Sequence, residues 1–259
     1  MQKLHAIPIL SAILMIFTLG PRARAATETP SDTFVVKGVK LHYLVQGAGE
    51  PVVLIHGLYA SAQMNWGFPG IIAELAKNHQ VIAMDMPGHG KSDKPEAEDA
   101  YGQQMVEDVV ALMDHLKVKK AHIVGYSMGG MIAGKLMVTH PDRVTTCILG
   151  GMGWLRADAA TEKFWEHMRI RDGGILPAAC IHGFAKFAFT EEQLKAIKLP
   201  VEIIIGDRDP IKKMYVDPLL AVRNDWPVVE IAGAGHIICI IKPQFKEEIV
   251  KWLDAHKGN

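Results

Sequence analysis

The sequence lacks the features by which several classes of protein are recognised from composition. Its 28 lysine and arginine residues are balanced by 28 aspartate and glutamate residues, so no basic surface is predicted and nucleic acid is not an expected partner. There is no internal repeat or low-complexity tract. No H-E-x-x-H or C-x-x-C motif is present, so neither a metal nor another cofactor is expected. The 259 residues, 49% of them hydrophobic, are enough for one large domain with a filled core.

Cysteine is scarce, with three residues in the chain. An odd number leaves at least one thiol unpaired. Cys147 lies in an apolar run and is predicted to be a buried free thiol. Cys180 and Cys239 are left as a possible disulfide, because the sequence does not fix the distance between them.

Apolar runs long enough to span a membrane are also lacking. The run at residues 6–20 contains Pro8, follows Lys3 and precedes an A-R-A site at residues 23–25. This pattern predicts a cleaved export signal over residues 1–25, and therefore a periplasmic or secreted protein. A retained membrane anchor is the alternative. The mature chain, residues 26–259, is predicted to have no stable membrane span, and its oligomeric state is left open.

Eight short apolar runs are predicted to be strands. They lie at residues 34–36, 41–45, 52–55, 81–84, 122–124, 144–149, 201–205 and 228–231. Segments with helical length and period lie at residues 101–116, 128–140, 210–224 and 243–256. The alternation predicts an α/β fold with a mostly parallel sheet, helices on both faces, and an antiparallel hairpin of the first two strands at one edge. Ligands in such sheets bind beyond the carboxyl ends of the strands.

The region at about residues 152–198 interrupts the alternation, because it contains no good strand and is rich in apolar and aromatic residues. It is predicted to be a short helical cap inserted into the domain. Some of its aromatic residues must fill the core of the cap, and others are expected to line a substrate pocket. The predicted pocket residues, two of which lie outside the cap, are Tyr59, Tyr126, Trp154, Trp165, Phe184 and Phe187.

The strand at residues 122–124 leads into G-Y-S-M-G at residues 125–129, and a helical run follows. The pattern G-x-S-x-G places a serine on a sharp turn from strand to helix, where side chains at the glycine positions would collide with the backbone. Ser127 is therefore the predicted nucleophile. Met128 opens the helix, so its N–H has no intrahelical acceptor and is predicted to donate to a developing oxyanion.

A serine hydroxyl is a poor nucleophile without a base, so a histidine and an acid are expected on loops after later strands. The strand at 201–205 ends in G-D-R-D-P at 206–210, and the strand at 228–231 ends in A-G-A-G-H at 232–236. His236 is the predicted general base. Asp209 is the predicted acid, because it lies farther from the strand end and is held extended before Pro210. Asp207 is interpreted as a turn residue or a member of a surface ion pair.

The strand at 52–55 leads into H-G-L-Y at residues 56–59. Gly57 permits a tight turn that directs the Leu58 N–H toward the Met128 N–H, so Leu58 is the second predicted oxyanion donor. His56 is interpreted as structural. The loop D-M-P-G-H-G-K-S-D at 85–93 ends like a phosphate-binding loop, but Asp85 replaces its first glycine, which argues against nucleotide binding. His89 in this loop is interpreted as a structural or pocket residue.

These segments together resemble the serine-nucleophile branch of the α/β-hydrolase superfamily over nearly the whole mature chain. The resemblance rests on H-G at 56–57, the loop at 85–93, G-Y-S-M-G-G at 125–130, G-D-R-D at 206–209 and G-H at 235–236. It implies an eight-stranded sheet, a catalytic triad of Ser127, Asp209 and His236, and an oxyanion hole formed by the Leu58 and Met128 amides. Serine at this turn disfavours the haloalkane dehalogenase and epoxide hydrolase branches, because their nucleophile is an aspartate.

Within this branch, the expected function is that of a carboxylesterase that cleaves small to medium esters through an acyl-enzyme intermediate. A carbon–carbon bond hydrolase, a perhydrolase or a lactonase with the same triad are the alternatives. A carbon–carbon hydrolase would need a cation for a substrate carboxylate, and Arg156, Arg169 and Arg171 are the candidates. A non-catalytic ligand-binding protein is the remaining class, and an intact triad weighs against it.

Overall fold

The computed structural model describes residues 30–167 and 174–258. The predicted export signal at residues 1–25 lies outside the described residues, as do Arg169 and Arg171. No helix in the described ranges combines the length and the apolar character that a membrane crossing requires.

An eight-stranded sheet runs through the structure, and all eight predicted strands are present. The strands are β1 (Ser31–Val36), β2 (Val39–Gln46), β3 (Glu50–Ile55), β4 (His79–Met84), β5 (Ala121–Tyr126), β6 (Val144–Gly150), β7 (Val201–Gly206) and β8 (Val228–Ile231). Their spatial order is β1-β2-β4-β3-β5-β6-β7-β8. Strand β2 pairs antiparallel with β1 and β4, and all other pairs are parallel. The predicted edge hairpin and mostly parallel sheet are confirmed.

Helices cover both faces of the sheet. They are α1 (Ile71–Leu75), α2 (Gln103–His115), α3 (Met128–Thr139), α4 (Ala159–His167), α5 (Ala178–His182), α6 (Glu191–Ala196), α7 (Asp217–Leu220), α8 (His236–Cys239) and α9 (Pro243–Ala255). Because side chains alternate along a strand, Val53 and Ile55 of β3 pack in one core with α2 and α3, whereas Val52 and Leu54 pack in a second core with α1 and α9. The central strands therefore carry apolar side chains on both faces over most of their length, which is why they could be predicted from short apolar runs.

The chain order places a topological switch point at β3. Strand β4, which follows β3 in sequence, pairs on one side of it, and β5 pairs on the other. Ligand sites in open α/β sheets form at such a point, beyond the carboxyl ends of the strands. The turns that follow β3 and β5 are the turns that carry Gly57 and Ser127.

Two predictions need correction. The helix predicted at residues 210–224 ends four residues early: the chain is helical over residues 210–220, with a π-helical turn at Lys212–Val216 that continues into the short α7. Pro218 lies in the first turn of α7, just after the π-helical turn. The possible disulfide is not formed, because Cys180 and Cys239 are both buried free thiols. Cys147 is also buried and free, as predicted.

Between β6 and β7, the chain forms a largely helical segment that contains α4, α5, a 3₁₀ turn at Gly183–Phe187, and α6. Helix α6 begins with a capping box, in which the Thr190 side chain accepts from the Gln193 backbone N–H and the Gln193 side chain accepts from the Thr190 N–H. This pairing satisfies two N–H groups at the helix start. The segment departs from the carboxyl end of β6, on the same side of the sheet as Ser127.

Candidate active site

Ser127 occupies a sharp turn between β5 and α3. Its backbone has φ 55°, a left-handed conformation that is rare for a residue with a side chain. The Ser127 N–H donates to the Gly150 carbonyl at 2.8 Å, which fixes the turn against β6. A Cβ atom on Gly125 would collide with the Gly129 carbonyl, and one on Gly129 would collide with the Ile55 carbonyl. The two glycines of the motif are thus required for this turn, which projects the Ser127 side chain beyond the sheet.

A continuous hydrogen-bond chain joins Ser127, His236 and Asp209. His236 Nε2 lies 2.8 Å from Ser127 Oγ, and His236 Nδ1 lies 2.7 Å from Asp209 Oδ2. A carboxylate only accepts, so Nδ1 carries the proton and Nε2 is free to accept from the serine hydroxyl. The Asp209 side chain is fully buried, whereas that of His236 is 28% exposed. The structure brings together the three residues that the motifs nominated, on the loops after β5, β7 and β8.

The two aspartates after β7 occupy different environments. Asp209 Oδ1 accepts the Ile211 N–H at 2.9 Å, so both of its carboxylate oxygens have donors. Asp207 is exposed, and its Oδ1 accepts the Ala234 N–H at 3.2 Å. Hydrogen bonds from the backbone N–H groups of Gly233 and Ala234 lower the pKa of Asp207. Asp207 therefore stabilises the turn before His236, and Asp209 is the acid in contact with the imidazole.

Tyr126 was expected to line the pocket, and the structure places it behind His236 instead. Its hydroxyl donates to the His236 backbone carbonyl. Its ring packs edge-on against Phe245 of α9, with the ring centroids 5.5 Å apart, and it belongs to the core shared by α1 and α9. Burial raises the pKa of Tyr126 far above its ordinary value, so the hydroxyl stays protonated and able to donate. The residue before the nucleophile thus connects β5 to the turn that carries His236.

The turn after β3 lies directly against Ser127. A Cβ atom on Gly57 would be 3.3 Å from Ser127 Cβ, so the small residue allows close approach. The Gly57 N–H donates to Asn65 Oδ1 at 2.8 Å. This contact could not be predicted, because no motif surrounds Asn65. Leu58 follows as a half-buried residue packed against the core. The half-buried Tyr59 comes next in a left-handed conformation, with φ 60°.

Two buried histidines support this turn. His56 Nδ1 donates to the Gly57 carbonyl at 2.8 Å, and His56 Nε2 accepts the Met86 N–H at 3.0 Å. Burial lowers the pKa of His56, which keeps it in the neutral form that both contacts require. His89 Nδ1 donates to the Pro87 carbonyl, and burial lowers the pKa of His89 to about 3. Both histidines therefore form hydrogen bonds that hold the backbone, and none of these hydrogen bonds involves Ser127.

The aromatic residues of the inserted segment pack mainly with one another. Phe184 and Phe187 are fully buried, and the Trp165 ring packs against Phe184 in a tilted arrangement, with ring centroids 5.1 Å apart. Trp154 is also buried, and its indole N–H donates to the Phe189 carbonyl at 2.8 Å. The four side chains Trp154, Trp165, Phe184 and Phe187 therefore attach the segment to the core, and their role in lining a substrate pocket stays a prediction.

The donor set of this site is suited to proton transfer and not to metal binding. Within the part of the chain that the structure describes, no three histidine, cysteine, aspartate or glutamate side chains are grouped so that they could hold a metal ion. The acceptor and donor roles of His236 are both taken by Ser127 and Asp209. The arrangement is thus able to deprotonate a serine hydroxyl.

Comparison with known proteins agrees with this geometry. A profile of the family described as alpha/beta hydrolase fold matches residues 50–178. The 2-hydroxy-6-oxo-6-(2'-aminophenyl)hexa-2,4-dienoic acid hydrolase of Metapseudomonas resinovorans is 38% identical over 249 residues, which cover 85% of this chain and 84% of that protein. The chain belongs to the α/β-hydrolase family.

Two further relatives define the range of this similarity. The dihydrolipoyllysine-residue acetyltransferase component of the acetoin cleaving system from Cupriavidus necator is 31% identical over 224 residues, covering 81% of this chain but only 53% of that protein. The chain thus spans about half the length of this relative. The enol-lactonase from Burkholderia xenovorans LB400 has the same fold, with a TM-score of 0.68, 24% identity, and coverage of 86% of this chain and 100% of the lactonase.

Proposed function

We propose that this protein is a hydrolase in which Ser127 is the nucleophile, His236 the general base and Asp209 the acid that orients the imidazole. The hydrogen-bond chain from Ser127 Oγ through His236 to Asp209, with distances of 2.8 and 2.7 Å, is the observation that supports this proposal. Ser127 Oγ attacks a substrate carbonyl carbon while its proton passes to His236 Nε2. The resulting oxyanion accepts hydrogen bonds from the Leu58 and Met128 amides.

The bond that breaks is inferred from the chemistry of a relative. The M. resinovorans protein is named for a 6-oxo-6-aryl hexadienoic acid, and that compound contains no ester or amide at its 6-oxo carbonyl. Hydrolysis at this carbonyl must therefore break a carbon–carbon bond. We propose the same reaction class here, on a small unsaturated oxo acid, in preference to simple esters.

Each step of this reaction balances with the groups at the site. In the 2,6-dioxo tautomer of such a substrate, in which the proton of the 2-hydroxyl group has moved to C5, the C5–C6 bond of the tetrahedral intermediate breaks and its electron pair passes through the C3=C4 double bond to the 2-oxo oxygen. That enolate takes the proton held on His236 Nε2, which leaves an acyl group on Ser127 Oγ. Water, deprotonated by His236, attacks this acyl group, and the proton returns to Ser127 as the carboxylic acid leaves.

Hydrolysis of a small ester or lactone is the second candidate, and one observation favours it. An oxo acid presents a carboxylate that a cation should bind, and Arg156 was one nominated cation. Arg156 is half-exposed and its Nε lies 3.4 Å from Asp158 Oδ2, so its charge is already partnered within the inserted segment. An ester or lactone substrate makes no such demand.

A substrate panel separates the two candidates. Purified protein is offered a 2-hydroxy-6-oxo-6-phenylhexa-2,4-dienoate, p-nitrophenyl esters of short and medium acyl chains, and small lactones, and kcat/KM is measured for each. The carbon–carbon proposal predicts the highest kcat/KM for the dienoate. A higher value for the esters or lactones contradicts it and supports the second candidate.

Ser127→Ala is the control for both candidates. Turnover of every substrate should fall to a residual rate of about 10³-fold over the uncatalysed reaction, which is what oxyanion donors and binding alone supply. Turnover by Ser127→Ala equal to that of the wild type would contradict the proposed nucleophile. Binding of a substrate without turnover by the wild type would instead favour a ligand-binding protein.

A further inference from the structure

The exposed apolar side chains of the described residues are concentrated in segments that leave the sheet at the carboxyl ends of its parallel strands. Within residues 30–167 and 174–258, every exposed large apolar side chain except Val35 lies in a segment that follows β3, β6, β7 or β8. These strands are parallel, so the segments leave the sheet at the same end. That end is the one at which Ser127, Asp209 and His236 meet.

Six of these side chains come from the loops that also supply the candidate site, and we call them the apolar rim. Its members are Met64, Phe68, Met214, Ile237, Ile238 and Ile241. Two follow the Gly57 turn, one follows Asp209, and three follow His236. Phe68 is 76% exposed and Ile237 is 58% exposed, so apolar groups face water around the entrance to the site.

Two parts of the apolar rim are anchored on the same buried core. Trp66 belongs to the core cluster that also contains Ile240 and Phe245. Lys246 of α9 reaches the turn before α1, where its Nζ lies 3.9 Å from the position of a Cβ on Gly70. The segments at residues 61–70 and 237–241 are thus held by one core, and each carries exposed apolar side chains.

The charged side chains that border the apolar rim indicate what kind of surface it binds. Neither residues 61–70 nor residues 237–241 contain a charged side chain. Two lysines, Lys242 and Lys246, and one exposed glutamate, Glu247, follow directly, so the border carries a net positive charge. Neither lysine forms an ion pair among the described residues. The nearby carboxylate of Glu74 is held by Lys77 at 2.8 Å. An uncharged apolar surface with a positive border matches an anionic lipid surface, because apolar side chains enter the acyl boundary while lysines meet the phosphates.

We propose that the apolar rim docks this protein onto the surface of an anionic lipid assembly, with the candidate site facing that surface. Large apolar patches on soluble proteins generally mark interaction sites, and this one surrounds the entrance. Docking in this way needs no membrane-spanning helix. It is also independent of the chemistry at Ser127, so it holds or fails separately from the proposed function.

The test is flotation of the purified protein with lipid vesicles. Wild type should float with vesicles that contain phosphatidylglycerol and phosphatidylcholine in equal parts, and less with phosphatidylcholine alone. Phe68→Ser combined with Ile241→Ser should weaken binding by about tenfold or more, because each exposed apolar side chain contributes through burial. Lys242→Gln combined with Lys246→Gln should remove the preference for the anionic vesicles.

Val35→Ser is the matched control, since Val35 is similarly exposed, at 66%, but lies on the edge strand β1. This variant should float like wild type, and so should Ser127→Ala. Absence of flotation, or equal flotation by the rim double variant and wild type, would overturn the proposal. A third result would also overturn the proposal: light scattering shows that wild type is a dimer and the rim double variant a monomer, and neither binds vesicles. The apolar rim would then contact a second copy of the chain.

Discussion

Replacing Asp209 with asparagine gives the sharpest prediction from the site geometry. Asp209 uses both carboxylate oxygens as acceptors, Oδ1 for the Ile211 N–H at 2.9 Å and Oδ2 for His236 Nδ1–H at 2.7 Å. Asparagine has the same shape but only one acceptor oxygen. If that oxygen keeps the Ile211 contact, the NH₂ group faces Nδ1 and favours the tautomer with its proton on Nε2. Nε2 is then unable to accept the proton of Ser127.

The expected loss follows from this change of tautomer. A triad aspartate replaced by asparagine in other hydrolases costs about 10⁴-fold in kcat with the geometry intact, and we expect a loss of about 10³–10⁴-fold here. The assay is steady-state kcat on the best substrate of the panel, with circular dichroism to verify folding.

Asp207→Asn is the matched control. Asp207 lies two residues away, is exposed, and contacts only backbone N–H groups in the turn before His236. One oxygen acceptor suffices for the Ala234 contact, so we expect less than about a tenfold loss. Equal losses in the two variants, or a larger loss in Asp207→Asn, would refute the assignment of Asp209.

Three further predictions concern Tyr126, Glu202 and the first 25 residues. Tyr126→Phe removes the hydroxyl that donates to the His236 carbonyl; kcat should fall while KM stays the same, and an unchanged kcat would show that this contact does not position the imidazole. Burial, followed by the charge of Glu248, raises the pKa of Glu202 from 4.5 to about 7 in the folded state. The folded protein therefore binds this proton more tightly than the unfolded chain, and wild type loses stability as the pH rises from 4.5 through 7. Urea unfolding should therefore find Glu202→Gln more stable than wild type at pH 8, by on the order of 1–2 kcal/mol, with the difference vanishing near pH 4; no difference at pH 8 contradicts this. We also propose that the chain is exported and cut after residue 25, so the intact mass of the exported protein should correspond to a start at Ala26, and a mass starting at Met1 would exclude cleavage.

The sequence predicted the sheet well because the central strands are buried on both faces. A strand such as β3 must present apolar side chains in both directions, so it reads as an uninterrupted run. The loops that follow β5, β7 and β8 could be located for the same reason. Their polar residues stand out where an apolar run ends, and the order of serine, aspartate and histidine follows from the order of the strands.

The failures concern which way a side chain faces and what it contacts. Tyr126 is predicted to line the pocket, but it lies on the same face of β5 as Val124, and that face packs into the core beneath α9. The sequence does not tell which face of the sheet is which. The helix predicted after Asp209 ends at residue 220 instead of 224 and contains a π-helical turn, which the helical period of the sequence does not indicate. Asn65 could not be recognised, because its contact with Gly57 arises only when the chain folds back.

The exposed and buried aromatic residues show a similar limit. Phe184 and Phe187 have no alternation or motif that separates packing from substrate contact, and the structure buries both in the core. Phe68 and Trp66 lie two residues apart in the uncharged segment between β3 and α1, yet Phe68 is largely exposed and Trp66 is fully buried. Burial depends on contacts between distant segments, which a single sequence does not specify.

Covalent labelling of the nucleophile is the most direct test of the central claim, that Ser127 is activated by His236. Wild type, Ser127→Ala and His236→Gln are treated with a fluorophosphonate, and the modified residue is located by peptide mass spectrometry. The account predicts a single label on Ser127 in wild type, no label in Ser127→Ala, and labelling slowed by at least about a hundredfold in His236→Gln. Labelling of Ser127 at the same rate in His236→Gln, a label on another residue, or no label on the folded wild type would contradict it.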